Sequence, residues 1–294
     1  MLVAALLISA WVITEPSPAS ARLPASAFDR PGDPARGKLV FAAGDCASCH
    51  ASPGQPDRLH LGGGQALASP FGTFYVPNIS PDPRDGIGGW QAKDLANALL
   101  SGVSPDGSHY YPAFPYTSFA HMSVADVIDL MAYLKTLPPV SGKAPPHELN
   151  VLFRIRRMIG FWKLLYFDQS PIRPDGGHDD EWNRGHYLVE SIGHCAECHS
   201  SRDLLGGIRG STRFAGGVDP EGTGYDPNIT PQHIASWSKD QIVTMLQTGR
   251  TPNGMHVGSS MSEVVTNTAM LPESDQRAIA AYIKSLPARP TPKP

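Results

Sequence analysis

The hydrophobic positions of this chain follow a helical period in short stretches, and long loops separate these stretches. Residues 124–137 and 274–286 each have the apolar spacing of an amphipathic helix that ends at a proline. Glycine and proline, 29 of each, are concentrated in the loops and do not form one low-complexity segment. The pattern therefore predicts a mainly α-helical protein with ordered loops.

The chain begins with an uncharged, strongly apolar run of 13 residues that is too short to cross a bilayer comfortably. Small residues at positions 19–21 follow it, as in the cleavage site of a secretory signal peptide. No basic residue precedes the run, so the segment could also remain uncleaved as an anchor. We predict that residues 1–21 are a signal peptide and that the protein is exported.

A second apolar segment, residues 149–167, lies near the middle of the chain and contains four interspersed basic residues. As a helix, it would present five apolar side chains on one face: Leu152, Ile155, Ile159, Trp162 and Tyr166. Such a face could lie in a membrane interface or bind a partner enzyme. We favour the alternative that it packs across two domains and fixes their spacing.

The length and the charge of the chain limit what it can be. Its 294 residues are enough for two compact domains and a connector between them. The formal net charge is −3, and the basic residues form no long run. This charge pattern argues against a nucleic-acid partner.

All four cysteines lie in two copies of one motif, Cys46-x-x-Cys49-His50 and Cys195-x-x-Cys198-His199. Two intervening residues let one helical turn bring both thiols to the vinyl groups of a haem, and the next residue directs its imidazole at the iron. We predict two covalently bound c-type haems with His50 and His199 as proximal ligands. A dithiol redox site or a zinc site would not explain a histidine at the same place in both copies.

The two haem motifs (residues 46–50 and 195–199) belong to an internal duplication. A shift of 149 residues superimposes them and also places Tyr282 on Tyr133 in the two C-terminal helical stretches. Upstream of the motifs, Gly37 and Gly185 offer close-approach positions against which these tyrosine-bearing helices could pack. This crossing resembles the contact between the N-terminal and C-terminal helices of class I cytochromes c.

The resemblance implies two tandem class I cytochrome c domains, at residues 31–140 and 181–288. A connector of residues 141–180, which contains the predicted amphipathic helix, would join them. Residues 289–294 would form a proline-rich tail.

The second axial ligand of an electron-transfer haem is often a methionine. In the first half, Met122 is the preferred candidate because it lies between a proline- and aromatic-rich loop and the closing helix. Met131 lies within that helix, where a methionine usually fills the core. His121 would give bis-histidine ligation instead.

In the second half, Met261 is preferred because it follows a flexible stretch of small residues. Met270 is a serious rival, and Met255 and His256 are weaker ones. The duplication does not decide between them, because the 149-residue shift places Leu271 opposite the candidate of the first half.

Residues 77–90, 110–137 and 181–202 resemble the cytochrome c subunits of membrane-bound alcohol, gluconate and aldehyde dehydrogenases and the cytochrome partners of molybdenum hydroxylases. The family carries a methionine in a Tyr-Pro-Ala-Phe-Pro-Tyr context and another before a Glu-Val-Val-like run. It therefore implies Met122 and Met261 as ligands. Many of these subunits carry three haems, whereas this sequence has two motifs.

The resemblance implies a periplasmic electron-transfer protein with no catalysis of its own. A quinoprotein, flavoprotein or molybdenum dehydrogenase would reduce it, and a quinone-linked component, a soluble cytochrome or an oxidase would accept its electrons. A peripheral contact with the outer face of the cytoplasmic membrane is compatible with this role. The alternative is a two-haem peroxidase-like enzyme in which one haem has an open axial position.

Overall fold

The computed structural model describes residues 2–220 and 224–293. Met1 of the predicted signal peptide, residues 221–223 of the predicted second domain and Pro294 of the predicted tail lie outside the described residues. The described chain is mainly helical with few, short strands, as the hydrophobic pattern predicts.

Short α-helices and long loops alternate along the first half. In chain order its helices are α1 (Leu2–Ile13), α2 (Pro34–Ala43), α3 (Cys46–His50), α4 (Ala92–Ser101), α5 (Tyr116–Phe119) and α6 (Val124–Leu134). The helix α6 is three residues shorter than predicted, because a 3-10-like turn replaces its last residues.

The connector and the second half repeat the alternation. Their helices are α7 (Ile159–Tyr166), α8 (Asp180–Tyr187), α9 (Pro231–Ile234), α10 (Lys239–Thr248), α11 (Ser260–Thr268) and α12 (Glu273–Ser285). A π-helical turn, Leu188–Ile192, extends α8 towards the second haem motif.

Two small antiparallel sheets accompany the helices. The first has the order β1 (Ala66–Ser69), β2 (Gly72–Tyr75) and β3 (Glu148–Leu149). The second pairs β4 (Gly217–Val218) with β5 (Tyr225–Asp226). Because β3 follows the closing helix of the first half, the first sheet ties the start of the connector to that half.

The helix crossings predicted from the duplication are confirmed in both halves. A Cβ added at Gly37 would lie 1.9 Å from the Asp129 carbonyl oxygen, so α2 and α6 are in backbone contact. A Cβ added at Gly185 would lie 1.9 Å from the Ala278 carbonyl oxygen in the crossing of α8 with α12. Only glycine permits these approaches without displacing the partner helix.

The opening helices begin where capping chemistry predicts. Asp33 precedes α2, and its side chain accepts hydrogen bonds from the backbone N–H groups of the first turn, while Pro34 occupies the first helical position. Asp179 caps α8 in the same way through the N–H of Trp182 at 2.8 Å.

Most of the buried apolar side chains of both halves form one continuous cluster, and a small second cluster contains Phe74, Tyr111 and Leu149. The larger cluster includes Phe41 and Leu130 from the first half and Leu188 and Ile279 from the second half. The two halves therefore share a core, and their relative position is fixed by packed side chains.

The prediction of one amphipathic helix over residues 149–167 is wrong. Leu149 ends β3, short 3-10 turns follow at Val151–Arg154 and Arg156–Met158, and α7 covers only the last part of the segment. Tertiary hydrogen bonds explain the difference. The Tyr111 hydroxyl donates to the Phe153 carbonyl oxygen at 2.8 Å, which is one of the acceptors that a continuous helix would use.

Within the described part of residues 149–167, α7 makes hydrogen bonds to both halves. Lys163 donates to the Ser101 carbonyl oxygen at 2.6 Å in the first half, and Tyr166 donates to the Asp203 carboxylate at 2.7 Å in the second. Leu152 and Ile155, which the sequence pattern placed on the packed face, are exposed. The packing expectation is therefore wrong for the first part of the connector.

The predicted signal peptide contacts the rest of the protein at Trp11 and Thr14 and through its last residues. Ala19 is almost fully buried, and the backbone N–H of Ser20 donates to the Asn97 side chain at 2.8 Å on α4. Within residues 2–220 and 224–293, we find no helix whose length and apolar character suffice for a membrane span.

Candidate haem-binding sites

The first haem motif forms a single helical turn. Asp45 precedes it in the left-handed conformation with φ 51°, and α3 then carries Cys46, Cys49 and His50 in succession. The His50 ring nitrogen Nδ1 lies 2.8 Å from the Pro77 carbonyl oxygen. Since a carbonyl oxygen only accepts hydrogen bonds, Nδ1 carries the proton and the Nε2 lone pair remains available for a metal.

The second haem motif repeats this arrangement. His194 precedes it with φ 40°, and a 3-10 turn, Cys195–Glu197, leads to Cys198 and His199. The Nδ1 nitrogen of His199 lies 2.7 Å from the Pro227 carbonyl oxygen. Both predicted proximal histidines therefore have the same tautomer, with Nε2 as the coordinating atom.

An asparagine next to each proline fixes the carbonyl that orients the histidine. The Asn78 side-chain amide donates to the Val140 carbonyl oxygen at 2.6 Å, just beyond the closing helix of the first half. The Asn228 amide donates to the Arg289 carbonyl oxygen at 2.8 Å in the second half. Each proximal loop is thus held by the segment that follows the closing helix.

The protonation states of the motif histidines and cysteines are compatible with haem attachment. Burial lowers the pKa of His50 to about 4 and also lowers the pKa of His199, so both rings are neutral at pH 7, as iron ligation requires. Burial raises the pKa of Cys195 and Cys198 to about 12. Such thiols stay protonated, unlike the low-pKa thiolates of dithiol redox sites.

Each copy therefore offers two thiols and one oriented imidazole nitrogen on a single turn. Ala47 and Ala196, which lie between the cysteines, are buried in the common core. This donor set and its apolar surroundings fit a covalently attached haem, which the protein can hold by two thioether bonds and one axial bond.

On the distal side of the first half, Met122 is 5% exposed and belongs to the common core beside Phe119. Met131 is buried within α6, as expected for a core residue. The His121 ring hydrogen-bonds the Ser170 carbonyl oxygen at 2.5 Å in the connector. These positions favour Met122 among the three candidates, and its ligation stays a prediction.

On the distal side of the second half, Met261 lies in the first turn of α11 and is partly buried. Met255, Met270 and His256 are exposed. A distal ligand must reach the interior, so this difference favours Met261, whose ligation also stays a prediction.

The structure adds a buried carboxylate that sequence reasoning missed. Glu197, within the second haem motif, is 8% exposed and pairs with Arg202 at 2.6 Å. Burial alone would raise the pKa of Glu197, but Arg202 and the hydroxyl of Thr117 hold it below its ordinary value. Thr117 lies 80 residues away in the first half, so no local sequence pattern indicates this contact.

Comparisons with known proteins are consistent with this geometry. The cytochrome c family model matches residues 34–138. A diheme cytochrome c-type protein of Cereibacter sphaeroides is 51% identical over 260 residues, which cover 87% of each chain. The chain belongs to the cytochrome c family. Membership supports haem c as the cofactor and electron transfer as the activity.

Two further relatives of this cytochrome are components of dehydrogenases. One subunit of the nicotinate dehydrogenase of Pseudomonas putida is 40% identical over 256 residues, or 87% of this chain and 21% of the relative. The fructose dehydrogenase cytochrome subunit of Gluconobacter japonicus is 37% identical over 281 residues, or 94% of this chain and 55% of the relative. The chain thus spans about a fifth and about half of these two proteins.

The resemblance to cytochrome c subunits of dehydrogenases is confirmed by these relatives.

Proposed function

We propose that this cytochrome is an exported electron-transfer protein with two covalent c-type haems and that it relays electrons from a partner dehydrogenase to the respiratory chain. One observation carries the proposal. In both halves a Cys-x-x-Cys-His turn ends in a histidine whose Nδ1 donates to a proline carbonyl, which leaves Nε2 for iron.

Covalently bound haem would supply reversible one-electron transfer at each site. The residues of the chain set the conditions for it. His50 and His199 are held in one orientation, and Met122 and Met261 would complete the axial coordination. Ala47 and Ala196 anchor the two motifs to the shared core. Thioether ligation raises the reduction potential relative to bis-histidine ligation.

The proposed architecture is two tandem class I cytochrome c domains, at residues 31–140 and 181–288. The duplicated crossing of opening and closing helices supports it, as do the duplicated loops that hold the proximal histidines. Residues 141–180 would act as a bridge, since α7 bonds to both halves.

The electron donor would be a dehydrogenase, because relatives of this cytochrome are subunits of such enzymes. The resemblance covers three classes of donor enzyme, namely quinoproteins, flavoproteins and molybdenum hydroxylases. The acceptor would be a quinone-linked component, a soluble cytochrome or an oxidase. The cytochrome itself would perform no substrate chemistry.

We further propose a periplasmic location with peripheral contact to the membrane. Most of the large apolar side chains that the structure leaves exposed lie on one surface, formed by residues 151–165 and residues 204–205 and, where the N-terminal segment stays uncleaved, by α1. Residues 151–165 contact both of the other segments. Arg157 lies over the Trp11 ring at 4.1 Å, and the Trp162 indole N–H donates to the Leu205 carbonyl oxygen at 3.0 Å.

Charge favours an anionic phospholipid surface as the partner of this apolar surface. Besides Lys163, which is bound to the first half, residues 149–167 contain three arginines and no acidic residue, although the whole chain has a net charge of −3. Basic residues interspersed with aromatic and aliphatic ones are typical of segments that lie in a membrane interface.

Vesicle sedimentation tests the membrane contact. The protein should sediment with vesicles that contain phosphatidylglycerol, less with neutral vesicles, and much less when Leu164→Asp and Leu165→Asp are combined. Val218→Asp, at an equally exposed site away from this surface, is the control. Equal sedimentation of wild type and the double variant would contradict the contact.

Mass spectrometry and spectroscopy of the protein purified from the periplasm test the main proposal. We expect the mass of two attached haems and full reduction by a partner dehydrogenase with its substrate. One haem, or none, would contradict the proposal. A high-spin iron that turns over hydrogen peroxide would support the peroxidase-like alternative instead.

A further inference from the structure

The two halves contact each other through equivalent positions of their haem motifs. Ser48 and Glu197 occupy the same place in the two motifs under the 149-residue shift. Each forms hydrogen bonds with a helix of the opposite half. The helix α5 precedes Met122, the candidate distal ligand of the first half, and α11 carries Met261, the candidate of the second half. We call α5 and α11 the distal helices.

Glu197 is bound to the distal helix of the first half. Its Oε1 atom accepts hydrogen bonds from the Thr117 hydroxyl at 2.7 Å and from the Ser118 hydroxyl at 3.1 Å. Both donors lie on α5, which ends three residues before Met122. Because the other carboxylate oxygen is held by Arg202, Glu197 is fixed and can fix α5 in turn.

Asp45 and Ser48 are bound to the distal helix of the second half. The Asn267 side-chain amide donates to the Asp45 carboxylate and, at 3.1 Å, to the Ser48 hydroxyl. Asn267 is 3% exposed and lies on α11, the helix that carries Met261. An ion pair between Arg58 and Glu263, at 2.6 Å, adds a second contact to the same helix.

The residues directly before the two motifs complete the interface. The His194 ring packs edge-on against the Phe119 ring, with centroids 5.5 Å apart, at the end of the distal helix of the first half. Its Nε2 atom also lies 3.3 Å from the Gly44 carbonyl oxygen, next to the first motif. The turns before the two motifs are therefore in direct contact.

We propose that each haem motif positions the distal methionine of the other haem. Glu197 is the positioning residue for Met122, and Asp45 with Ser48 is the positioning pair for Met261. This inference rests on the proposed function and extends it, because it makes the axial ligation and the potential of each haem depend on the motif that binds the other.

A physical argument supports this coupling. An axial methionine bond is sensitive to the position of the loop that carries it, and the potential follows the axial bond. In Glu197→Gln one of the two carboxylate oxygens becomes an NH2 donor, so the side chain can no longer accept from both Arg202 and the hydroxyls of α5. The short helix α5, which has only four residues of its own, then loses a charge-assisted contact to a partly buried and a buried hydroxyl. The loosened loop should then hold Met122 less firmly.

The test uses the full-length protein with both haems. In oxidised wild type, magnetic circular dichroism and redox titration should give two His/Met signals, which Met122→Leu and Met261→Leu assign. Glu197→Gln should then weaken the Met122 signal and lower the potential of that haem, while the Met261 signal is unchanged. Thr117→Val should do the same, and the double variant should add little to either change, because both remove one contact.

The mirror variant Ser48→Ala should instead affect the Met261 signal. Glu273→Gln is the matched control, since it makes the same chemical change at a surface ion pair with Arg277, away from both motifs. If Glu197→Gln does not fold or loses haem, Thr117→Val alone provides the test from the other side of the contact.

A shift confined to the haem of the mutated motif, or no shift in either signal, would overturn the inference. These outcomes differ from failure of the proposed function, in which wild type itself would lack two haems or two His/Met signals.

Discussion

The proximal and distal sides of the two candidate sites differ in how closely they repeat. On the proximal side, Cβ atoms added at Gly37 and Gly185 meet a carbonyl oxygen at the same 1.9 Å, and the two histidine-to-proline distances are 2.8 and 2.7 Å. On the distal side, a four-residue helix precedes a buried Met122, whereas Met261 lies partly buried in a nine-residue helix.

This difference indicates what constrains a covalent haem site. Two thioethers and one axial bond must meet a rigid cofactor, so the proximal turn has little freedom. The distal side must supply one ligand from a loop, and many loops can do so. Divergence on the distal side would then let the two proposed domains hold haems with different potentials.

The strongest test of proximal equivalence is to fill the two helix crossings. Gly37→Ala and Gly185→Ala should each destabilise the holoprotein by roughly 1–3 kcal/mol, because the methyl group forces the crossing helices apart. Chemical denaturation of the purified protein measures this loss. Gly89→Ala and Gly210→Ala, where an added Cβ meets nothing within 4 Å, are matched controls in the two halves. If only one of the two substitutions lowered the free energy of unfolding, the two helix crossings would not be equivalent.

Substitution of the candidate distal ligands tests how the distal sides of the two sites differ. Met122→Leu should abolish one thioether signal and lower the potential of that haem, and Met261→Leu should abolish the other signal. Met270→Leu, on an exposed side chain, should change neither. Loss of a signal in the Met270 variant would show that the distal assignment of the second half is wrong.

A smaller effect is expected from Lys163, whose ammonium group contacts carbonyl oxygens of Ser101 and Gly102 in the first half. Burial lowers the pKa of Lys163 from 10.5 to about 7. Above pH 7 the unfolded chain keeps this proton and the folded chain releases it. Stability should therefore rise between pH 7 and 9, by at most about 1.4 kcal/mol per pH unit.

The pH dependence is measured as the difference in unfolding free energy between wild type and Lys163→Met. In the variant this contribution is absent, so the difference should change steadily over the range. A constant difference would mean that Lys163 keeps its proton in the folded protein, and that its two carbonyl partners outweigh burial.

The local geometry of the proximal side follows from short sequence patterns, while haem ligation there stays a prediction. The Cys-x-x-Cys-His motifs and the glycines of the helix crossings are local patterns, and each places its residues on one turn or at one contact. The repeat adds a second, independent observation of the same geometry. The observed helix starts at Asp33 and Asp179 rest on capping contacts within the first turn, which are local as well.

The contacts between the halves could not be predicted from the sequence. Glu197 meets a threonine 80 residues away, and Asp45 meets Asn267, which is 222 residues away. The helix prediction for the connector is wrong for a related reason. Its apolar period fits a helix, but pairing with β2 and the bond from Tyr111 to Phe153 override that local preference.

The most direct test of the proposed haem ligation is near-infrared magnetic circular dichroism of the oxidised protein purified with its haems. We expect two low-spin irons, each with one histidine and one methionine ligand, because the proximal geometry is the same and a distal methionine is available in each half. A bis-histidine signal, or one high-spin iron beside one His/Met iron, would contradict this ligation.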